Sequence, residues 1–349
     1  MEAYLKNIRQ VVPYTPGEQP KQPGIIKLNT NENPYPPSPH VMEQIHKIDR
    51  LRMYPDPAVT ELVEAIADYK GLDKEQVFIG VGSDDVLAMC FMTYFNSELP
   101  ILFPDITYSF YDVWAELFRI PYETQPLDEN FHIVAEDYKK PNGGIIFPNP
   151  NAPTGLFMPL EQVEAILAAN TDVIVIVDEA YVDFGGVSAQ SLLDKYSNLI
   201  VVQTFSKSRS MAGMRIGYAM GSKTLIKALN DVKYSFNSYT MNQPSILLGK
   251  ASIEDDEYFK MTCNSIIETR EWVKEELLKL GFTFPDSKAN FIFATHESVP
   301  AEEIFEAAKK ENIYVRYFKK PGIDNYLRIT IGTRDEMNQF IEFLKNYLK

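Results

Sequence analysis

The sequence predicts an α/β fold with a mostly parallel sheet of about seven strands, helices on both faces and a smaller α+β domain. Two observations lead to this prediction. Between residues 77 and 233, short β-branched segments alternate with segments of helical apolar spacing. The segment DVIVIVDEAY at 172–181 is almost continuously apolar, which is typical of a parallel strand buried on both faces.

Length and charge narrow the class of protein further. The 349 residues, 45% of them hydrophobic, suffice for one large core and one smaller core. The formal net charge of −14 argues against non-specific nucleic-acid binding, because such binding needs a basic surface. Residues 1–14 lack the apolar segment of a signal peptide, and no segment is apolar for the length of a membrane span. We therefore expect a cytoplasmic protein without a membrane partner.

The cysteines and histidines indicate neither a disulfide framework nor a metal site. Cys90 and Cys263 lie in apolar helical segments without a neighbouring histidine or a CxxC spacing, so we expect two buried thiols. The four histidines show no metal-ligand spacing, and no metal is predicted.

The first forty residues are rich in proline and glycine, which excludes a regular helix or a central strand. Their scattered apolar residues indicate an extended arm laid over another surface, either of this chain or of a second subunit. Helical spacing then predicts helices at 41–49 and 57–70. We assign residues 41–240 to a large domain, and 241–349 together with the arm 1–40 to a small domain.

The remaining elements are predicted in chain order from the same two periodicities. Large-domain strands are expected at 77–82, 101–103, 144–150, 172–181, 199–206 and 215–221, and helices at 84–95, 108–118, 159–169 and 222–233. A helix at 254–280 ends at Gly281, which suits a C-cap. The small domain continues with strands at 291–296, 312–318 and 326–332 and helices at 300–311 and 333–348.

Ligands of an open α/β sheet bind beyond the carboxyl ends of its strands. Here the loops after four predicted strands carry polar groups, at 82–84, 149–155, 178–181 and 204–207. Lys207 follows a buried strand, where an amine can add to an aldehyde. The hydroxyls of Thr204 and Ser206 and the guanidinium of Arg215 suit a phosphate group. An amine beside a phosphate site indicates pyridoxal 5'-phosphate as the cofactor.

Two further side chains fit that cofactor. Asp178 ends the strand IVIVD, where a carboxylate beneath a pyridine nitrogen would keep the nitrogen protonated. Tyr181 follows three residues later and can donate to the phenolate oxygen of the ring. A salt-bridged aspartate and a packed tyrosine explain these residues equally well. The turn Gly82-Ser83-Asp84 opens a helix whose free N–H groups favour an anion, although such turns are common in α/β proteins.

Several segments together resemble a known family. VDEAY (177–181), TFSKSRSMAGMRIGYA (204–219), NPNAPTG (149–155) and LRITIG (327–332) are similar to the fold-type I aminotransferases, which use pyridoxal phosphate. LNTNENP (28–34) and YPDP (54–57) are similar to the histidinol-phosphate aminotransferase branch of that family. The matching segments extend from about Tyr14 to Arg328, which is nearly the whole chain.

The resemblance implies roles around the cofactor. Lys207 would hold it as a Schiff base and move the α-proton of the substrate, while Asp178 would pair with the pyridinium and Tyr181 would donate to O3′. The cofactor phosphate would be held by a set of hydroxyls, backbone groups and one guanidinium: Ser83, Asp84, Thr204, Ser206 and Arg215. Tyr108 would stack on the ring.

The resemblance also implies roles at the subunit interface and around the substrate. Tyr54 would reach the cofactor phosphate of the neighbouring subunit, which implies a homodimer with shared active sites. Arg328 would bind the substrate carboxylate, and Arg316 and Tyr14 would hold the phosphate end of the substrate. Without the resemblance, the arginines are equally explained as edge-strand charges, and each tyrosine as ordinary packing.

The chain departs from the family pattern at Ala152, where an asparagine that contacts O3′ usually precedes Pro-Thr-Gly. Either Asn151 takes that role or Tyr181 acts with less help. A second departure is Pro36, where glycine is common, and we expect a local variant of the loop there.

The implied reaction is a ping-pong amino transfer between L-glutamate and a phosphorylated imidazole compound, imidazole-acetol phosphate, which gives L-histidinol phosphate. Two alternatives keep the fold and the cofactor: an aromatic-amino-acid aminotransferase and a threonine-phosphate decarboxylase. A third is a non-catalytic regulatory protein that binds pyridoxal phosphate, which the intact lysine, aspartate and arginines disfavour.

Overall fold

The computed structural model describes residues 3–349, and a sheet of seven strands forms its centre. The strands of the chain are β1 (Ile26–Lys27), β2 (Val77–Gly80), β3 (Ile101–Pro104), β4 (Tyr122–Gln125), β5 (Ile145–Pro148), β6 (Val175–Asp178), β7 (Leu199–Thr204), β8 (Gly217–Gly221), β9 (Phe282–Thr283), β10 (Phe291–His296), β11 (Ile313–Tyr314), β12 (Arg316–Tyr317) and β13 (Leu327–Thr330). The α-helices are α1 (Pro39–Gln44), α2 (Thr60–Lys70), α3 (Ser83–Tyr94), α4 (Tyr111–Phe118), α5 (Leu160–Ala169), α6 (Lys223–Phe236), α7 (Gln243–Glu254), α8 (Asp256–Lys279), α9 (Ala301–Lys310) and α10 (Arg334–Tyr347).

The central sheet has the strand order β2-β8-β7-β6-β5-β3-β4. Neighbouring strands from β4 to β7 run parallel, whereas β8 is antiparallel to both β2 and β7. This confirms the predicted mostly parallel sheet. In the register, Asp178 lies between Pro148 of β5 and Val202 of β7, so the carboxyl ends of these three strands reach one edge together.

The side chains of β6 alternate between two cores, as the pleat of a strand requires. Val175 and Val177 join a core that includes α2, α5 and α7, whereas Ile176 joins a core that includes α3, α4 and α6. Helices therefore cover both faces of the sheet, which is why β6 is apolar at every position before Asp178. The predicted buried strand is confirmed, although its regular part is shorter than 172–181.

Two elements of the large core have no counterpart in the sequence prediction. β4 is a mostly exposed edge strand of polar sequence, so no apolar alternation marks it. α7 has a proline in its first turn and Gly249 inside, which weakens its helical pattern. A Cβ added at Gly249 would lie 2.8 Å from Ile216 Cδ1, so the glycine lets α7 pack closely on the large core.

The second sheet, of order β12-β13-β10-β9, is antiparallel and is covered by α8, α9 and α10. The segment 312–318, predicted as one strand, is divided, because β11 pairs with β1 whereas β12 pairs with β13. α7 packs on α1 and α2, so the large core extends past residue 240 to the end of α7. The division into a large and a small domain otherwise stays a prediction.

The N-terminal arm lies on its own chain from Tyr14 onward. The Tyr14 ring stacks on Phe110 with the ring centroids 4.2 Å apart. β1 then pairs in parallel with β11, and Leu28 is buried in the core of the second sheet. These contacts place residues 29–33 over the carboxyl edge of the central sheet, where the backbone carbonyl of Thr30 accepts a hydrogen bond from Lys207.

Both cysteines are buried and unpaired, as expected for structural thiols. Among residues 3–349, no helix combines the length and the apolar character that a membrane crossing requires. The cytoplasmic location stays a prediction from composition.

Candidate active site

Two adjoining cavities open at the carboxyl edge of the central sheet. The inner cavity, of about 100 Å³, is lined by Ser83, Asp84, Tyr108, Pro148, Ala152, Asp178, Ala180, Tyr181, Ser206, Lys207 and Arg215. The outer cavity, of about 360 Å³, shares six of these residues and adds Tyr14, Arg316 and Arg328 among others. The four loops that the sequence placed at one edge therefore do meet there.

Lys207 follows the end of β7 and lines both cavities. Its Nζ donates a hydrogen bond of 3.1 Å to the backbone carbonyl of Thr30 and lies 5.8 Å from the centroid of the Tyr181 ring. It forms no ion pair with a carboxylate among residues 3–349. Among the described residues, the hydrogen-bond acceptor of this amine is thus an uncharged backbone carbonyl.

Asp178 ends β6 at the floor of the inner cavity and is only 4% exposed. Its carboxylate accepts hydrogen bonds from the Tyr111 hydroxyl at 2.9 Å and from the backbone N–H of Ala180 at 3.2 Å. Burial raises the pKa of Asp178 to about 6, although these two donors and the charge of Lys207 oppose the rise. A cationic ring nitrogen above this carboxylate would compensate the cost of burying its charge.

Tyr111 was not identified from the sequence, because the predicted helix 108–118 placed it in an ordinary aromatic segment. The structure begins α4 at Tyr111 and buries its ring completely, with the hydroxyl directed at Asp178. Burial raises the pKa of Tyr111 well above its usual value, and so does the nearby carboxylate. The hydroxyl therefore stays protonated and serves as a donor to Asp178.

Most of the groups that were predicted to bind a phosphate lie in the inner cavity near the start of α3. Arg215 Nη2 lies 3.3 Å from Asp84 Oδ2, and Arg215 Nη1 lies 3.4 Å from Ser206 Oγ. Thr204 does not line the cavity; its hydroxyl supports Ser206 through a 3.0 Å hydrogen bond. Ser83 opens α3, whose first-turn N–H groups have no partner within the helix.

Glycines make room for this end of the cavity. Gly82 has a φ of 83°, and a Cβ on it would lie 2.4 Å from Arg215 Nη2. A Cβ on Gly217 would lie 2.3 Å from the backbone of Gly82 and Ser83. A side chain at Gly82 would therefore collide with the guanidinium, and one at Gly217 would collide with the backbone that begins α3. The close approach of these groups therefore forms a compact cradle for one anion.

Tyr108 lies in the loop before α4 and lines both cavities, as its predicted stacking role requires. Its hydroxyl donates to Asp84 Oδ1 at 2.7 Å. The ring is edge-on to Tyr111, with centroids 5.8 Å apart. These contacts fix one face of the ring against the cavity.

Tyr181 faces the same cavity from the end of β6. Its ring meets Phe291 edge-on at 5.0 Å and packs beside Ala152. Its hydroxyl oxygen accepts a hydrogen bond of 3.0 Å from Asn31 Nδ2. No role was predicted for Asn31 from the sequence, because no local signal connects it to Tyr181, 150 residues away.

The structure does not bring Asn151 to the cavity, in contrast to the predicted cofactor contact. Asn151 Nδ2 donates to the carbonyl of Ile106 at 3.0 Å, and Asn151 Oδ1 accepts from the Thr107 hydroxyl at 3.1 Å. These bonds secure the loop that carries Tyr108. Ala152, and not Asn151, lines both cavities.

The outer cavity is cationic. Arg328 Nη2 donates to the backbone carbonyl of Asn29 at 2.9 Å, whereas its buried Nε has no partner. Burial lowers the pKa of Arg328, and so does the charge of Arg316. Within residues 3–349, neither arginine forms an ion pair with a carboxylate. In a chain of net charge −14, two such guanidinium groups above a lysine indicate an anionic ligand.

Tyr54 lies away from both cavities. Its side chain is 83% exposed, its ring contacts that of Tyr239, and it lines a separate depression with residues such as Met53. The structure of one chain thus leaves the predicted contact of Tyr54 with a cofactor to a second subunit.

A larger cavity of about 680 Å³ lies elsewhere, around Asp128 and Phe131, and has mainly apolar walls. It contains no lysine or arginine. We therefore assign the candidate site to the two smaller cavities, because they contain the lysine, the arginines and the buried carboxylate.

The residues of the inner cavity fit pyridoxal phosphate. A buried carboxylate that forms no ion pair with any residue of 3–349, a lysine amine and an anion cradle formed around glycines lie in one cavity with an aromatic ring on its wall. These are the groups that would hold, respectively, the ring nitrogen, the aldehyde, the phosphate and the ring face.

Comparison with known proteins agrees with this geometry. A family model described as aminotransferase class I and II matches residues 23–344. The chain is 51% identical to a histidinol-phosphate aminotransferase of Clostridium botulinum (strain Okra), over 100% of this chain and 99% of that protein. It is also 51% identical to the histidinol-phosphate aminotransferase of Lactococcus lactis, over 99% of this chain and 97% of that protein.

Two solved structures share the fold. The histidinol-phosphate aminotransferase of Clostridium acetobutylicum superposes with a TM-score of 0.86 at 24% identity, covering 93% of this chain and 99% of that one. The histidinol-phosphate aminotransferase of Sinorhizobium meliloti, in complex with pyridoxal 5'-phosphate, superposes with a TM-score of 0.83 at 21% identity, covering 92% and 91%.

Proposed function

This chain belongs to the class I and II aminotransferase family, and from that premise we propose that it catalyses the histidinol-phosphate aminotransferase reaction. The enzyme uses pyridoxal 5'-phosphate to transfer an amino group between L-glutamate and imidazole-acetol phosphate, which yields 2-oxoglutarate and L-histidinol phosphate. The full-length similarity to relatives with that activity in their names supports the choice of substrate.

The observation that carries the proposal is that the outer cavity holds two guanidinium groups, neither of which forms an ion pair with a carboxylate of residues 3–349. Glutamate presents a carboxylate to the site, whereas L-histidinol phosphate and imidazole-acetol phosphate each present a phosphate. Arg316 and Arg328 can bind either anion, because a guanidinium forms bidentate hydrogen bonds to both. One cationic cavity thus serves both halves of a ping-pong reaction. Tyr14, stacked on Phe110 at the rim, closes the cavity on the side of the N-terminal arm.

Each residue around the inner cavity would have a separate role in the reaction. When bound, pyridoxal phosphate supplies an electron sink for the pair of electrons left on the substrate α-carbon. Lys207 would hold the cofactor through its aldehyde, and the same nitrogen would move the substrate α-proton. Asp178 would keep the proton on the ring nitrogen, and Tyr181 would donate its hydroxyl proton to the phenolate oxygen. The cradle around Arg215 would hold the phosphate and so keep the reacting atoms aligned.

A substrate panel on the purified holoenzyme tests this function. We expect rapid half-reactions with glutamate and histidinol phosphate, read as the loss of the visible absorbance of the cofactor, and slow ones with phenylalanine and tyrosine. Faster turnover of the aromatic amino acids, or release of carbon dioxide from threonine phosphate, would replace the proposed substrate. Bound cofactor that reacts with no amino donor would favour a regulatory protein instead.

We also propose a homodimer in which Tyr54 completes the partner's site. Around Tyr54 the chain exposes large apolar side chains that a monomer would leave in water: Leu51, Met53, Phe236 and Tyr239. A second copy that covers this surface would bury them and bring Tyr54 to a site other than its own.

Subunit mixing tests the shared site. Tyr54→Ala should weaken cofactor binding, and Lys207→Ala should abolish activity, because each removes a group of every site in its homodimer. After the two variants are unfolded and refolded together, about a quarter of the wild-type activity should return, because half of the dimers would be mixed and each would hold one intact site. Activity that stays at the sum of the two variants would show that Tyr54 does not act across the interface.

A further inference from the structure

We propose that Asn31 is a positioning residue that directs the hydroxyl proton of Tyr181 into the inner cavity. The inference rests on the proposed function in one respect, that the cavity holds a cofactor with a phenolate oxygen. It goes beyond that function by assigning a role to the N-terminal arm.

The hydroxyl of Tyr181 has one hydrogen-bond partner among the described residues, Asn31 Nδ2 at 3.0 Å. Ala152 lies beside the ring, at the position where the family pattern has an asparagine, and its methyl group can donate nothing. Asn151 is bonded to Ile106 and Thr107 instead. The amide that controls Tyr181 in this chain therefore comes from the arm and not from the loop after β5.

Asn31 is held firmly enough to orient another group. It is 1% exposed, and its φ of 58° is one that asparagine tolerates better than most residues. Its backbone N–H donates to Thr330 Oγ1 at 3.1 Å, and its backbone carbonyl accepts from Asn290 Nδ2 at 3.0 Å. Two strands of the second sheet, β10 at its start and β13 at its end, thus fix the arm at this point.

The direction of the hydrogen bonds then follows from Thr330. Its oxygen accepts from the backbone N–H of Asn31, and its own proton has one acceptor within reach, Asn31 Oδ1 at 2.8 Å. If the amide were flipped, the buried hydroxyl proton of Thr330 would have no partner, an arrangement that buried polar groups in folded proteins avoid. Asn31 therefore presents its oxygen to Thr330 and its Nδ2 to Tyr181.

Because Asn31 Nδ2 can only donate, the Tyr181 oxygen must accept. The proton of Tyr181 is then free for a different acceptor, and Tyr181 is one of the residues that line the inner cavity. Lys207 and Arg328 lie near Tyr181 and, as cations, cannot accept that proton. The two carboxylates of the inner cavity already have other partners, Asp84 with Tyr108 and Arg215, and Asp178 with Tyr111 and the backbone of Ala180. An anionic oxygen of the ligand is the acceptor that this arrangement suits.

Exchanging donor and acceptor at Asn31 tests the proposal. Asn31→Asp keeps the size of the side chain and its tolerance for the left-handed backbone, but Tyr181 must then donate to the carboxylate. A phenolate oxygen deprived of its donor keeps more negative charge and favours protonation of the nitrogen that joins Lys207 to the cofactor. We expect the pH midpoint of the visible absorbance change, measured on the holoenzyme without substrate, to rise by about one unit.

The Tyr181→Phe background separates the orientation of the hydroxyl from the negative charge that Asn31→Asp adds. If Asn31 acts through Tyr181, Asn31→Asp shifts the midpoint clearly less when Tyr181 is already phenylalanine. Equal shifts in both backgrounds, or no shift in either, would overturn the proposal.

A neutral pair of variants covers the case in which Asn31→Asp does not fold. Thr330→Val removes the hydroxyl that orients the amide, whereas Thr330→Ser keeps it. We expect a midpoint shift in the same direction for valine, absent in the Tyr181→Phe background, and none for serine. Identical midpoints for valine and serine would contradict the role. None of these measurements uses a substrate, so they test the role of Asn31 even if the substrate panel fails. Conversely, a negative result for Asn31 would not contradict the proposed reaction.

Discussion

Lys207→Ala is expected to abolish the visible absorbance of the lysine-bound cofactor and to lower kcat/KM by at least about 10⁴-fold. The variant loses both functions of one nitrogen, the bond to the cofactor and the transfer of the α-proton. Among residues 3–349, no other lysine lines the inner or the outer cavity, so we expect no second amine to substitute. Absorbance spectroscopy of the reconstituted protein and steady-state rates with glutamate measure the two losses separately.

Two control variants accompany that experiment. Lys207→Arg keeps the positive charge but cannot form the bond, so it should lose the absorbance as fully as the alanine variant. Lys195→Ala removes an exposed lysine paired with Glu164 on the surface and should leave both readouts unchanged. Retained absorbance in Lys207→Ala would refute the assignment of the lysine.

Asp178→Asn should lower kcat by on the order of 10²–10³-fold, while the cofactor stays joined to Lys207. The amide keeps the size of the carboxylate and still accepts from Tyr111, but it carries no charge to hold a proton on the ring nitrogen. The chemical step should therefore slow with little change in the visible absorbance intensity. Single-turnover reaction with glutamate measures that step directly.

The neighbouring carboxylate supplies the matched control for Asp178. Glu179 is equally buried, but it faces the other side of the sheet edge, where it accepts hydrogen bonds from Ser188, Ala189 and Gln203. Glu179→Gln makes the same chemical change one residue away and should cost stability without a comparable loss of kcat. Equal losses from both variants would mean that Asp178 has only a packing role.

Asp178→Asn, which should slow catalysis, should not destabilise the protein without cofactor. Because burial raises the pKa of Asp178 to about 6, from an ordinary 3.8, the folded state binds its proton more tightly than the unfolded state does. The wild-type apoprotein therefore loses stability as the pH rises from about 4 to about 6, by on the order of 3 kcal/mol. Asp178→Asn lacks this loss, so its apoprotein should melt no lower than wild type at pH 8, as calorimetry can show.

Much of the fold and of the inner cavity could be predicted from the sequence, because both depend on local patterns. A strand buried on both faces must be apolar throughout, which identifies β6 and β7 directly. The parallel connections then bring the carboxyl ends of those strands to one edge, so Asp178 and Lys207 had to be neighbours. The edge strand β4 and the glycine-containing helix α7 were not predicted, because their apolar patterns are weak.

The sequence by itself determined which residues end the buried strands, and with them the amine, the carboxylate and much of the anion cradle. Only the tertiary structure decided how the arm and the second sheet complete the site. Asn31 meets Thr330 across 299 residues, and Asn151 turns to Ile106 and Thr107 and away from the cavity. The physical reason is that periodicity and strand ends are properties of neighbouring residues. The direction of a side-chain hydrogen bond, in contrast, depends on every donor and acceptor that folding brings within about 3 Å.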